Sequence, residues 1–169
     1  MKTLQLVFKY TQSEYVKAER QYLILNKTIR KYDPILATLF LLFSISCIFL
    51  SSFSVFSIII LGIVLIATAI GSYLYFLMPV FKFKYTEKYH EEYIMVFSKD
   101  SIKWITPSIE SELKWDIYSE LWESNDFYYL IQVPRMYTLI PKRAFAAQKD
   151  KQTFEEIALS SLKSIKRIE

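Results

Sequence analysis

Residues 34–81 read PILATLFLLFSISCIFLSSFSVFSIIILGIVLIATAIGSYLYFLMPVF, a run of 48 residues without one charged side chain. A helix needs roughly 20 apolar residues to cross the hydrocarbon core of a bilayer, so this run holds two spans and a turn. The pattern predicts a first span from Ile35 to about Leu50 and a second from Val55 to about Met78. The connector Ser51-Ser52-Phe53-Ser54 is too short for a domain, and its hydroxyls can satisfy backbone groups freed at a turn. Pro34 suits a first helical turn, where its missing N–H costs nothing. Pro79 marks the expected end of the second helix, because the residue before a proline is biased away from the α region.

The flanks set the orientation. Lys27, Arg30 and Lys31 precede the first span, Lys82, Lys84 and Lys88 follow the second, and the connector is uncharged. The positive-inside rule then places both termini in the cytoplasm. Lys27, Arg30, Lys31, Lys82 and Lys84 are the expected membrane-surface contacts. Tyr73, Tyr75 and Phe76 fall where aromatic side chains favour the interface. A cleavable signal is not expected, since the apolar run starts late and is too long for one.

Ahead of the spans, residues 3–10 alternate as a short strand does. Thr11 and Glu14 have the spacing of a capping box. Tyr15, Ala18, Tyr22, Leu25, Ile29 and Tyr32 then recur as one helical stripe. This helix either packs on the soluble domain or lies on the inner leaflet, its lysines toward anionic headgroups. Residues 1–33 carry seven basic and three acidic side chains, a balance that permits the second option.

From Lys82 onward, β-rich runs alternate with turn residues. Strands are expected near Phe83–His90, Glu92–Ser98, Ile102–Thr106, Glu110–Trp115, Tyr118–Glu123, Phe127–Val133 and Tyr137–Ile140. The breaks are Lys99-Asp100, Pro107-Ser108, Ser124-Asn125-Asp126 and Pro134-Arg135. A closing helix is expected from the capping-box spacing of Thr153 and Glu156. Its apolar face would be Phe154, Ile157, Ala158, Ser161, Ile165 and Ile168, with Lys163, Lys166 and Arg167 in the last turn. The organisation is therefore an arm (1–33), a transmembrane hairpin (34–81) and a β-rich domain (82–169). The fold class is an α+β membrane protein whose bent sheet or open barrel is plugged by the last helix.

This layout resembles the bacterial YcxB-like family. The resemblance rests on Phe97-Ser-Lys-Asp-Ser-Ile-Lys-Trp104, Leu113-Lys-Trp-Asp-Ile-Tyr-Ser-Glu-Leu-Trp122, Phe127-Tyr-Tyr-Leu-Ile131 and Ile140-Pro-Lys-Arg-Ala-Phe145. It implies an N-terminal strand and helix, a membrane hairpin in the bacterial cell membrane, and a C-terminal domain related to pleckstrin-homology folds. It implies no catalytic residues.

The chemistry-bearing residues point the same way. Cys47 is the single cysteine, so neither a disulfide framework nor a thiolate cluster can form within the chain. The two glycines, Gly62 and Gly71, lie inside the second span, so a phosphate-cradling glycine loop is absent. His90 has the context of a solvated turn, and no serine or cysteine nucleophile has a base beside it. Acids crowd from Glu110 to Asp126, spaced as on solvated strand faces. Residues 82–169 hold 14 acids and 14 bases, which argues against nucleic-acid binding.

The expectation is a non-enzymatic, membrane-anchored interaction module without cofactor or metal. Its partner would be a protein or peptide, and Lys142 and Arg143 form the best basic patch for one. Self-protection against a membrane-active peptide, and headgroup binding by the domain, are the alternatives. A homo-oligomer is left open.

Overall fold

A computed structural model of the chain describes residues 3–50, 54–132, 136–162 and 164–167. The serine-rich connector (apart from Ser54), the Pro134-Arg135 break, and Lys163 and Ile168 of the expected last helix lie outside them. The chain divides into two compact units, Gln12–Tyr85 and the pairing of Met1–Thr11 with Thr86–Glu169.

The first unit is helical. It comprises α1 (Gln12–Leu25), α2 (Asp33–Leu50), α3 (Val55–Ser72), a π turn (Tyr73–Leu77) and α4 (Met78–Tyr85). Both α2, at 18 residues, and the continuous Val55–Tyr85 helix, at 31, are long and apolar enough to cross a membrane. Their side chains face outward almost throughout, with only Ser44 buried on α2 and only Ser57 on α3. The hydroxyls of Thr38, Ser44, Ser46 and Thr68 each bond the carbonyl one turn back, so these polar groups need no outside partner.

Two expectations fail here, for one reason. The second long helix does not stop at Pro79, and Phe83–His90 is not a strand. Helix continues to Tyr85, and a 3₁₀ turn covers Glu87–His90. Pro79 has no N–H for the Tyr75 carbonyl one turn earlier. The π turn widens the helix just before it. The Tyr75 carbonyl instead accepts from Arg20 Nε at 3.1 Å. The Arg20 guanidinium also lies over the Tyr75 and Phe76 rings, 5.3 and 5.5 Å from their centroids. A side chain from α1 thus repairs the gap that proline leaves.

The same surface of α1 buries Tyr15, Ala18, Glu19 and Tyr22. Tyr15 packs on Phe83 of α4, its ring 5.5 Å away, and donates its hydroxyl to Glu19 at 2.8 Å. Glu19 also pairs with Lys82. The stripe does not extend to Ile29 and Tyr32 as expected. The helix ends at Leu25, and Lys27 turns into the left-handed region at φ 56°.

The second unit holds two four-stranded sheets. One has the order β1-β2-β3-β4, built from Leu4–Lys9, Glu92–Phe97, Ser101–Ile105 and Glu110–Lys114, all antiparallel. The other has the order β7-β6-β5-β8, from Tyr137–Pro141, Phe127–Ile131, Glu120–Glu123 and Ile165–Arg167. Strict alternation decides the first pairing. Leu4, Leu6 and Phe8 are buried, and they oppose buried Phe97, Met95 and Tyr93. A one-residue slip would turn that whole set to solvent. Three of the expected breaks are hairpin turns, each closed by a backbone bond: Ser98 N–H to Ser101 C=O, Thr106 to Ile109, and Ser124 to Phe127.

Helix α5 (Gln148–Ser161) joins the sheets. Phe154 is fully buried and packs on Phe97 of one sheet and Tyr128 of the other, at ring separations of 4.9 and 5.1 Å. The expected start and end of this helix need correction. Thr153 is interior and bonds back to Lys149 C=O. The first turn is held by Asp150, whose carboxylate accepts from the Ala147 N–H at 3.0 Å. The helix ends at Ser161, and Ile165–Arg167 form β8, parallel to β5 through the Leu121–Ile165 pair.

Candidate functional site

Among the described residues the two sheets leave four edge strands, β1, β4, β7 and β8, and the acid-bearing edge of the first sheet is β4. Turn residues Pro107-Ser108 set it antiparallel to β3, and among the described residues no other strand pairs with it. Antiparallel partners alternate between hydrogen-bonded and non-bonded pairs. The Thr106 N–H bonds the Ile109 carbonyl at 2.8 Å, which fixes the phase. Ser111 and Leu113 therefore turn their backbone groups toward β3. Glu110, Glu112 and Lys114 turn theirs toward the open edge. Ile109 and Ile117 flank that edge, 55% and 44% exposed.

The edge is held in shape by its own polar groups. Glu112 accepts from the Ser101 hydroxyl at 2.5 Å and faces Lys103 across the ladder at 3.4 Å. The Ser101 hydrogen bond is the main reason its carboxyl sits below the usual range, with Lys103 adding to it. Glu91, just before β2, is lowered in the same way by the hydroxyls of Thr106 and Ser108, and Ser108 lies 2.8 Å from it. Both carboxylates stay ionised at neutral pH. Around Ile109–Ile117 the acids Glu110, Glu112 and Asp116 outnumber the single base Lys114.

The basic residues singled out from sequence sit elsewhere. Lys142 Nζ pairs with Glu123 at 2.7 Å and lies 4.7 Å from the Tyr128 ring centroid. Glu123 also binds Arg167 at 3.0 Å. Burial, the largest single influence on Glu123, raises its pKa, but Lys142 and Arg167 together outweigh it and hold the carboxyl low. Tyr128 donates to Glu155 at 2.6 Å, and burial pushes its phenol pKa far up. This knot fastens β8 and the turn after β7 to the sheet. Arg143 donates to the Lys9 carbonyl at 2.7 Å, fastening the end of β1.

In the helical unit, Arg30 and Lys31 are exposed in the segment before α2, and Lys27 is exposed after α1. Lys82 pairs with Glu19, and Lys84 reaches over the Tyr85 ring at 5.7 Å. His90 lies exposed in its 3₁₀ turn. Among the described residues no group of three or more His, Cys, Asp or Glu side chains is placed to hold a metal. Sequence reasoning did not find Arg20, Glu19 or Glu123. Each is a charged residue off the apolar pattern, and each has a partner 19 or more positions away.

Residues 97–158 match the model of the family described as YcxB-like protein. The match runs from the end of β2 into α5, so it includes the β4 edge and the Glu123–Lys142 pair but not Arg167. The resemblance read from sequence holds over that stretch. No curated protein and no solved structure matches the chain.

Proposed function

We propose that the chain is an integral protein of the bacterial cell membrane. The two apolar helices anchor a cytoplasmic, pleckstrin-homology-like sheet unit that docks an extended protein segment along β4. The open edge of β4 carries the reading. It offers unpaired main-chain groups in register, apolar side chains at both ends and an acidic rim, which together suit addition of a basic strand. Charge on the edge also guards against self-pairing, so it selects for a complementary guest. Lys142 and Arg143 are engaged within the fold, which favours a peptide over a lipid headgroup as the ligand of this unit. Membrane insertion is supported by the outward-facing apolar helices, since a surface of that size and polarity has no stable place in water.

The test uses the full chain in zwitterionic detergent and a fluorescent ten-residue peptide alternating lysine and valine. Anisotropy should show saturable binding that weakens with salt. Glu112→Pro removes an N–H aimed at the open edge and leaves the β3 ladder intact, as proline on an edge strand can. It should abolish binding while the tryptophan-monitored melt is kept. No binding by the wild type, or equal binding by Glu112→Pro, refutes the reading.

A further inference from the structure

The helical unit contains a groove of about 740 Å³ between the α1–α2 segment, the start of α2 and the end of α3. That volume lies within the range of about 300–1,000 Å³ typical of small-molecule sites. Its walls are apolar and smooth where small residues stand, notably Ala37, Ala67 and Gly71. At Gly71 an added Cβ would meet no heavy atom within 4 Å, so the space there is open. Arg30 and Lys31 also line the groove, and both are exposed. The one acid on the lining, Asp33, is turned to the chain and accepts from the Arg30 N–H at 2.7 Å.

We propose that this groove binds one anionic phospholipid, an acyl chain along the Ala67–Gly71 wall and the phosphate against Arg30 and Lys31. The chemistry at the two ends fixes the class of ligand. A long apolar slot takes hydrocarbon, and two adjacent bases at its mouth take an anion at the level of the headgroups. Sterically, a bulkier residue than glycine at position 71 would intrude on the slot. A general annulus of lipid would need neither the concavity nor the paired bases. The bound lipid would wedge the segment between α1 and α2 and so couple headgroup charge to the pose of α1.

The proposal rests on membrane insertion, which resistance of the full chain to alkaline extraction from cell membranes checks separately. The full chain in mild detergent is then examined by native mass spectrometry with dioleoyl phosphatidylglycerol and, in parallel, dioleoyl phosphatidylcholine. One phosphatidylglycerol should be retained per chain, roughly thirty-fold in preference to phosphatidylcholine, which corresponds to about 2 kcal/mol from two bases. Arg30→Gln with Lys31→Gln should erase the preference. These are surface changes, so folding is not at risk. Gly71→Leu should lower retention of both lipids. Equal retention of the two lipids by the wild type overturns the proposal. So does a preference that survives the double charge change, or undiminished retention in a folded Gly71→Leu chain.

Discussion

Replacing Phe154 by alanine tests the packing of the sheet unit most severely. The ring is fully buried, and Phe97, Tyr128 and Phe145 surround it at centroid separations of 4.9, 5.1 and 5.5 Å. Phe→Ala in a core costs about 3–5 kcal/mol, the upper part of the range applying where the walls cannot collapse. Here the walls are rigid rings carried by β2, β6 and the segment before α5. The edge-to-face contact with Phe97 adds to the loss, roughly 0.5–1.5 kcal/mol beyond area. A value of about 4–5 kcal/mol follows. The three tryptophans, Trp104, Trp115 and Trp122, all belong to this unit, so fluorescence during urea titration of the full chain in detergent reports on it alone. With a slope of about 1–2 kcal/mol/M, the midpoint should fall by roughly 2–5 M. A loss below about 1 kcal/mol would refute the claim that α5 ties the two sheets together.

Arg20→Ala should lower helical thermal stability in detergent by about 1–2 kcal/mol, because the Tyr75 carbonyl loses its donor. In a Pro79→Ala background, where the backbone N–H returns, circular dichroism melts should show less than half that loss. Glu123→Gln should destabilise the sheet unit by about 1–2 kcal/mol at neutral pH by leaving Lys142 and Arg167 without their anion. The folded pKa of Glu123 lies below its unfolded value of about 4.3. Its stabilisation is therefore full above that pH and is lost as pH falls through the folded value. The gap between wild type and variant in urea midpoint should close on that acidic side, and a gap that widens there would contradict the assignment.

What could be read from sequence was whatever depends on local pattern. The uncharged run marked both long helices, alternation marked β1, and β-rich runs between turn residues marked β2 through β7. What escaped depends on distant partners. Helix persists through Pro79 because Arg20 lies opposite. Ile165–Arg167 form a strand because β5 offers a free edge, although Ile165 continues the helical spacing of Phe154 and Ile157. The first strand belongs with the sheet unit because its buried residues face those of β2, some 90 positions on. Lys142 and Arg143 looked available because neither Glu123 nor the Lys9 carbonyl is near in sequence. The open edge of β4 was visible only as a strand with scattered acids.

The proposed membrane hairpin, with the sheet unit inside the cell, is tested directly by single cysteines at Ser54 and at Lys99 in a Cys47→Ala background and a membrane-impermeant thiol reagent on intact cells. Labelling is expected at Ser54 on intact cells and at Lys99 only after the membrane is opened. Labelling at Lys99 but not Ser54 on intact cells would contradict it.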